Sequence, residues 1–362
     1  MTVTPSPAVT PSPTAAATTC PTSIVPAPAG PRGFSLTGSM MAMRWLHTAT
    51  LLPDCRVLVA GGTNRDGDLA SAELYDSKTG RFSSTGSMAT TRRVAEAVLL
   101  QDGRVLIVGG MGSIDDQNGL ASAELYDPEN GTFGPTGSMT TARGVLNTAT
   151  LLQDGRVLVT GGMGGSALAS SELYDPKTGT FAPTGSMTTP RWSHSAVLLQ
   201  DGRVLIGGGF PDPISDVAEL YDPMTGTFRA AANLPQDADE DCWGAVALLQ
   251  DGQVLIPACH ALFDPKTNDF SSTGAMETPG RSNYTATLLL DGRVLVVGGS
   301  VTKSGFADYQ IDAELYDPKA GAFTNGGAMS VARPSSTATL LSDGRVLVAG
   351  GVLSASAELY QP

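Results

Sequence analysis

From Thr184 to Phe228 the chain reads TGSMTTPRWSHSAVLLQDGRVLIGGG, then eight residues of irregular loop, then AELYDPMTGTF. The core of this stretch, D-G-R-V-L, returns with small variations from Asp54, Asp102, Asp154, Asp201, Asp251, Asp291 and Asp343. The steps between successive positions are 48, 52, 47, 50, 40 and 52 residues. Self-similarity at such a period marks a stacked or radial array of units, none of which can bury its apolar face alone. The repeats run almost from end to end, so the 362 residues are expected to form one closed domain.

Composition agrees with an array of short strands. Hydrophobic residues make up 41%, enough for a core, and 43 Gly with 24 Pro point to frequent turns. A formal charge of −13 argues against nucleic acid or an anionic membrane as partner. No apolar run approaches the length of a membrane span. The opening MTVTPSPAVTPSPTAAATTC has neither a basic region nor an apolar core, so it is not a secretory leader as it stands.

Residues 1–32, rich in Pro, Thr, Ala and Ser, carry too little apolar surface to offset their ordering entropy and read as a linker or stalk. Residues 33–40 differ. Gly33-Phe34-Ser35-Leu36-Thr37-Gly38-Ser39-Met40 matches the end of a repeat, yet no repeat start precedes it, while the last repeat stops at Glu358-Leu359-Tyr360 without such an end. The two fragments complete each other. The chain is therefore read as an all-β ring in which an N-terminal strand joins the C-terminal blade and leaves no free sheet edge there. A closed ring of this kind is expected to be monomeric.

Four strands fit each repeat. Strand a is the HTATLL-like run, strand b the RVLVAGG-like run, strand c AELYD, and strand d the segment from TGTF to TGSM. Asp-Gly between a and b is a hairpin signal, and D-P-x-T-G between c and d is turn chemistry. Strand b is apolar on both faces, as a strand between neighbouring sheets must be. Strand a keeps a small residue at one place, Ala49, Ala97, Ala149, Ala196, Ala286 and Ala338, which suits the crowded axis of a radial array. The blades are expected at about 44–88, 92–139, 143–187, 191–234, 241–276, 281–329 and 333–361.

The Gly-Gly pair ending strand b, the Glu-Leu-Tyr-Asp of strand c and the Met-x-x-x-Arg before strand a resemble kelch repeats. They are closest to the bacterial type with D-G-R-V-L-V-x-G-G, and are similar also to the propeller of galactose oxidase. The resemblance covers residues 33–362 and implies a seven-bladed kelch β-propeller of four-stranded antiparallel blades. It implies little about function, since kelch propellers serve as adaptors, as glycan or peptide binders and occasionally as enzymes.

Six repeats carry Arg before strand a: Arg44, Arg92, Arg143, Arg191, Arg281 and Arg333. In the fifth repeat Asp241 stands at the Arg position, Ala258-Cys259 at the glycine pair and Ala261 at the strand-c Glu. Antiparallel strands bring these three positions to one end of the blade. Joint loss is what a buried pairing of each Arg with Glu73, Glu124, Glu172, Glu219, Glu314 or Glu358 demands, because losing one partner would strand a charge. The competing reading is a ring of ligand-binding arginines, which the resemblance to kelch adaptors and galactose oxidase keeps open.

Binding residues are expected on the variable b–c and d–a loops of that face. Trp45, His47, Arg93, Trp192, His194, Trp243 and Tyr284 flank the Arg position and are candidates for contact with a sugar or peptide. For His47 and His194 the plainer reading is strand packing, with Asn147 as a variant. The loops add Asp66 and Asp68, Asp115 and Asp116, Asp212 and Asp216, and Asp308 and Asp312. The run Asp237, Asp239, Glu240, Asp241 reads as a solvated loop, and no metal site is expected. Two disulfides are expected, Cys20–Cys55 stapling the closing strand and Cys242–Cys259 in the fifth blade; free thiols are the alternative in a reducing compartment.

An oxidase like galactose oxidase needs a copper site of Tyr, His and a crosslinked Cys-Tyr. The three histidines, His47, His194 and His260, are scattered and match no such set. No nucleophile triad or phosphate loop stands in for it, and no cofactor is expected. The sequence therefore reads as a non-enzymatic binding module for a protein, peptide or glycan, placed outside the cell or on its surface. A scaffold without a ligand is the alternative, and a carbohydrate-active enzyme related to galactose oxidase a further one.

Overall fold

The computed structural model describes residues 20, 32–113, 119–210, 217–234, 244–303 and 306–362. It is a ring of seven four-stranded antiparallel blades. The first blade runs Thr48–Leu51, Arg56–Ala60, Ala72–Asp76 and Arg81–Ser84, paired in that order. The other blades repeat this a-b-c-d order, and neighbouring strands a such as Thr48–Leu51, Glu96–Leu99 and Thr148–Leu151 pack against one another around the axis. Strands b are the least exposed: Val57, Leu58, Val105, Val157, Val204 and Val254 are wholly buried between sheets.

The ring closes where the two sequence fragments meet. Gly33–Leu36 pairs antiparallel with Ala357–Gln361, in the register Phe34 to Tyr360, and completes the sheet of Thr337–Leu340 and Val346–Ala349. Blade six is elongated. Its strand b, Val294–Lys303, runs past the glycine pair and forms a projecting hairpin with Phe306–Tyr309.

Strand d runs as far as the sequence reading in blades four and six, Thr227–Asn233 and Ala322–Ala328, but is shorter where T-G-S-M follows. It ends before T-G-S-M, at Ser84, Pro135 or Pro183. The T-G-S-M segment instead joins blades. The Thr hydroxyl meets the strand-c Tyr hydroxyl of the next blade (Thr37–Tyr75 2.9 Å, Thr85–Tyr126 2.8 Å, Thr136–Tyr174 2.8 Å). Its glycine donates to a glycine carbonyl of that blade, as Gly38 N to Gly80 O at 3.0 Å. A Cβ on Gly38 would lie 2.3 Å from that oxygen, so no other residue fits without movement. The methionine is then driven into the core.

Cys20 is bonded to Cys55, with Cα atoms 5.1 Å apart. Cys55 takes the place of the turn glycine and adopts its left-handed backbone, φ 70°, where Gly103 has φ 87°. Cys259 is also disulfide-bonded, and no described cysteine is free. Its expected partner Cys242 lies outside the described residues.

Candidate functional site

At one end of the blades six arginines are sealed from solvent, each at 0–1% exposure. Arg44 shows the pattern. Its Nη1 donates to the carbonyls of Gly61 and Ser71, and its Nη2 to Ser71 Oγ and to Glu73 Oε1 at 2.8 Å. Glu73 also accepts the amides of Met41 and Ala42, tying the incoming loop to the strand. The same ion pair joins Arg92 to Glu124, Arg143 to Glu172, Arg191 to Glu219 and Arg333 to Glu358, at 3.0–3.4 Å. Arg281 is looser, reaching Thr278 Oγ1 at 3.3 Å and Glu314 at 3.7 Å in the elongated blade. Burial pulls the pKa of Arg92, Arg143 and Arg191 down, against the opposing pull of their glutamates. These guanidinium groups face protein, not a ligand-accessible surface.

The glycine pair completes this end of the blade in every repeat but the fifth. The second glycine amide donates to the Arg carbonyl of the next blade, as in Gly62 to Arg92 (2.7 Å), Gly162 to Arg191 (2.8 Å) and Gly351 to Arg44 (3.2 Å). The residue two beyond each Arg, or three beyond Arg143, then turns left-handed. Leu46, Val94, Leu146, Ser193, Asn283 and Ser335 have φ between 48° and 59°, a costly conformation for branched side chains. Three links show what holds it. Leu46 N donates to Ser335 O, Val94 N to Leu46 O and Ser193 N to Leu146 O, each into the preceding blade. This rim encircles the mouth of the axial channel.

The sequence candidates divide against this frame. His47 and His194 are buried, and their Nε2 atoms lie 3.1 Å from Thr337 Oγ1 and 3.0 Å from Thr148 Oγ1 of the preceding blade. Burial, with Arg44 beside one ring and Arg191 and Arg143 near the other, pushes both imidazoles down to about 3, so they are neutral. Both rings are packed against the preceding blade. Tyr284 is 5% exposed, and its hydroxyl accepts the Ala258 amide at 3.2 Å. It fills the space left opposite by Gly244, where a Cβ would be 2.9 Å from the Tyr284 hydroxyl. Trp192 is half-buried and stacks on Phe210 with centroids 4.9 Å apart. Trp243, Asp115, Asp116, Asp212, Asp216 and the run Asp237, Asp239, Glu240, Asp241 lie outside the described residues.

Trp45 and Arg93 come together. Trp45 pairs with Thr63 at the base of a short hairpin, Thr63–Asn64 with Gly67–Asp68, and Arg93 donates to Asp68 at 2.6 Å. Both halves of that ion pair are largely buried, which fixes the guanidinium and carboxylate in the wall of a cleft. The cleft, about 680 Å³, lies between the loops of the first two blades and is lined also by Asn64, Asp66, Thr91 and Ser113. It offers an indole beside oriented donors and acceptors. On the opposite face, grooves of about 570 and 350 Å³ recur between neighbouring a–b and c–d turns and belong to the repeat itself.

No family model and no curated protein matches the chain. Among solved structures it is similar to a fungal alcohol oxidase of the AA5 family in complex with copper, with a TM-score of 0.73 and 20% identity over 92% of this chain and 76% of the other. The likeness is one of fold: the chain is a kelch-like seven-bladed β-propeller. Among the described residues no three His, Cys, Asp or Glu side chains converge, and the Nε2 atoms of His47 and His194 face threonines of separate blades. His47 and His194 therefore do not meet at one metal position.

Proposed function

We propose that this propeller is a non-enzymatic binding module, and that the cleft between its first two blades captures a glycan. The carrying observation is the Trp45 indole set beside the fixed Arg93–Asp68 pair in a cleft of about 680 Å³. Aromatic rings supply a flat apolar platform, and a few oriented polar groups supply specificity. Sugar rings, apolar on one face and rich in hydroxyls at the edge, suit that combination better than an apolar ligand does. A peptide is the next class the same cleft would hold. The disulfide at Cys20–Cys55 and the bonded state of Cys259 support an extracellular or cell-surface setting.

The test is capture on glycan and peptide arrays, with Trp45→Ala and Arg93→Ala beside the unaltered chain. Loss of glycan capture in both variants, with unfolding temperatures little changed, supports the reading. Capture of peptides alone would move the ligand class, and capture undiminished in both variants would remove the site.

A further inference from the structure

One position of strand a lines the axial channel, and there the second blade alone carries a charge. Cross-strand register aligns Thr48 with Ala60, Thr148 with Thr160, Ser195 with Gly207, Thr285 with Val297 and Thr337 with Ala349. In the second blade the same place, opposite Val108, holds Glu96. Five short hydroxyls, one carboxylate and, by the register of the fifth blade, the methyl group of Ala245 therefore share this level of the channel.

No side-chain hydrogen bond or ion pair reaches Glu96 from the described residues. The repeat shows what is missing. Thr337 and Thr148 are each met by a histidine of the following blade, His47 and His194. The residue placed to meet Glu96 is Asn147, 1% exposed, and both its Oδ1 and its Nδ2 are buried without a partner. A Cβ on Gly109, next to Val108, would lie 3.2 Å from Asn147 Oδ1, so the amide does reach the second blade. A buried amide left unsatisfied is costly, and the Glu96 carboxyl, partly exposed at the channel, has no side-chain partner among the described residues either.

Glu96 lies in a cavity of about 240 Å³ at the channel mouth, under a collar of Leu46, Val94 and Leu146. An apolar collar on one side, a polar wall of Asn283, Thr285 and Ser336 on the other and one carboxyl describe a site for a slender chain with a cationic end. We propose that the channel mouth binds an alkylammonium or guanidinium group, with Glu96 as its counter-ion and the collar around its aliphatic stem. A hard divalent ion would need six or more oxygen ligands and several acids, and no three acidic or imidazole groups converge here. The net charge of −13 draws cations toward the ring. This site is distinct from the Trp45 cleft and does not depend on it.

Burial alone pushes the Glu96 carboxyl up to about 8. The other titratable groups of the cavity, His47 and Tyr284, stay neutral, because burial holds the first down to about 3 and raises the second. Arg92, on the segment leading into the same strand, and Arg143, from the next blade, are closed on Glu124 and Glu172. A bound cation favours the ionised carboxylate, so binding at neutral pH releases a proton and tightens as pH rises toward 8.

Isothermal titration of the full chain with cadaverine, agmatine and Nα-acetyl-lysine amide tests this, with Nα,Nε-diacetyl-lysine amide as the uncharged control. Expected are binding of the cations but not of the control, tightening from about pH 6.5 to about pH 8.5, and weakening by about tenfold or more in Glu96→Gln. Glu96→Thr, which gives this blade the residue of its neighbours, should bind as poorly while remaining folded. Tighter binding of the diamine assigns the group to a free polyamine-like ligand, and tighter binding of a lysine peptide assigns it to a protein side chain; both support the site. Equal binding by Glu96→Gln, equal binding of the control, or no binding of any cation would overturn it. Because Trp45→Ala leaves Glu96 in place, it should retain this binding even if it loses glycan capture.

Discussion

Arg44 Nη2 and Glu73 Oε1 lie 2.8 Å apart, and neither side chain is more than 3% exposed. A buried pair contributes modestly against an apolar pair of the same shape, but removing one partner leaves a charge without water or counter-ion. Arg44→Met is therefore expected to cost about 3–5 kcal/mol, and Arg44→Met with Glu73→Gln less than the sum of the single changes. Urea unfolding of the four proteins in the cycle measures the coupling. Additive losses would mean that the pair does not hold the blade end together.

The glycine pair makes a second, independent demand at the same place. Gly61 has φ 66°, and a Cβ there would lie 2.4 Å from the Arg92 carbonyl of the next blade. Gly61→Ala should destabilise by more than about 1 kcal/mol, combining backbone strain with a clash. Gly134→Ala is the control, since nothing lies within 4 Å of its added Cβ and its φ is not positive. Equal unfolding temperatures for the two variants would contradict the packing described here.

Much of this was legible in the chain itself. The spacing of D-G-R-V-L and the orphan ends at Gly33–Met40 and Glu358–Tyr360 carry enough information for the ring and its closure, because strand pairing obeys local alternation and turn chemistry. Other features depend on contacts between blades. T-G-S-M looks like more strand, but its threonine, glycine and methionine are used in joining blades. Tyr284 looks exposed beside a loop, and only alignment of strand a shows Gly244 making room for it. Glu96 carried a signal that was there to be read, a lone acid in a column of Thr and Ser. The Trp45 cleft depends on the path of the Thr63–Asp68 hairpin, which no repeat arithmetic supplies.

The Cys20–Cys55 bond ties the segment before the closing strand to the first a–b turn across a sequence separation of 35. Chain-entropy reasoning for a loop of that length gives roughly 3–4 kcal/mol of stabilisation. Cys20→Ser should lower the unfolding midpoint accordingly, by more than the Cys55→Ser change with Cys20 already replaced. A midpoint unmoved by Cys20→Ser would show that the closing strand holds without its staple.

The two buried histidines set an acid limit. Each has a folded pKa of about 3 against about 6.5 when unfolded, so the unfolded chain binds the extra protons between those values. Their contribution is full above about pH 6.5 and is lost as pH falls toward 3. Asn147 occupies the equivalent place without titrating. The double variant His47→Asn, His194→Asn should therefore lose less stability than the unaltered chain between about pH 6.5 and about pH 4, by a few kcal/mol. Parallel pH profiles for the two proteins would contradict the neutral, buried assignment.

The most direct test of the binding role is a glycan-array comparison of the unaltered propeller with Trp45→Ala, both first shown to unfold at the same temperature. The cleft reading predicts a defined set of glycans captured by the first and released by the second. Capture that survives Trp45→Ala, or no capture by a well-folded propeller, would contradict it.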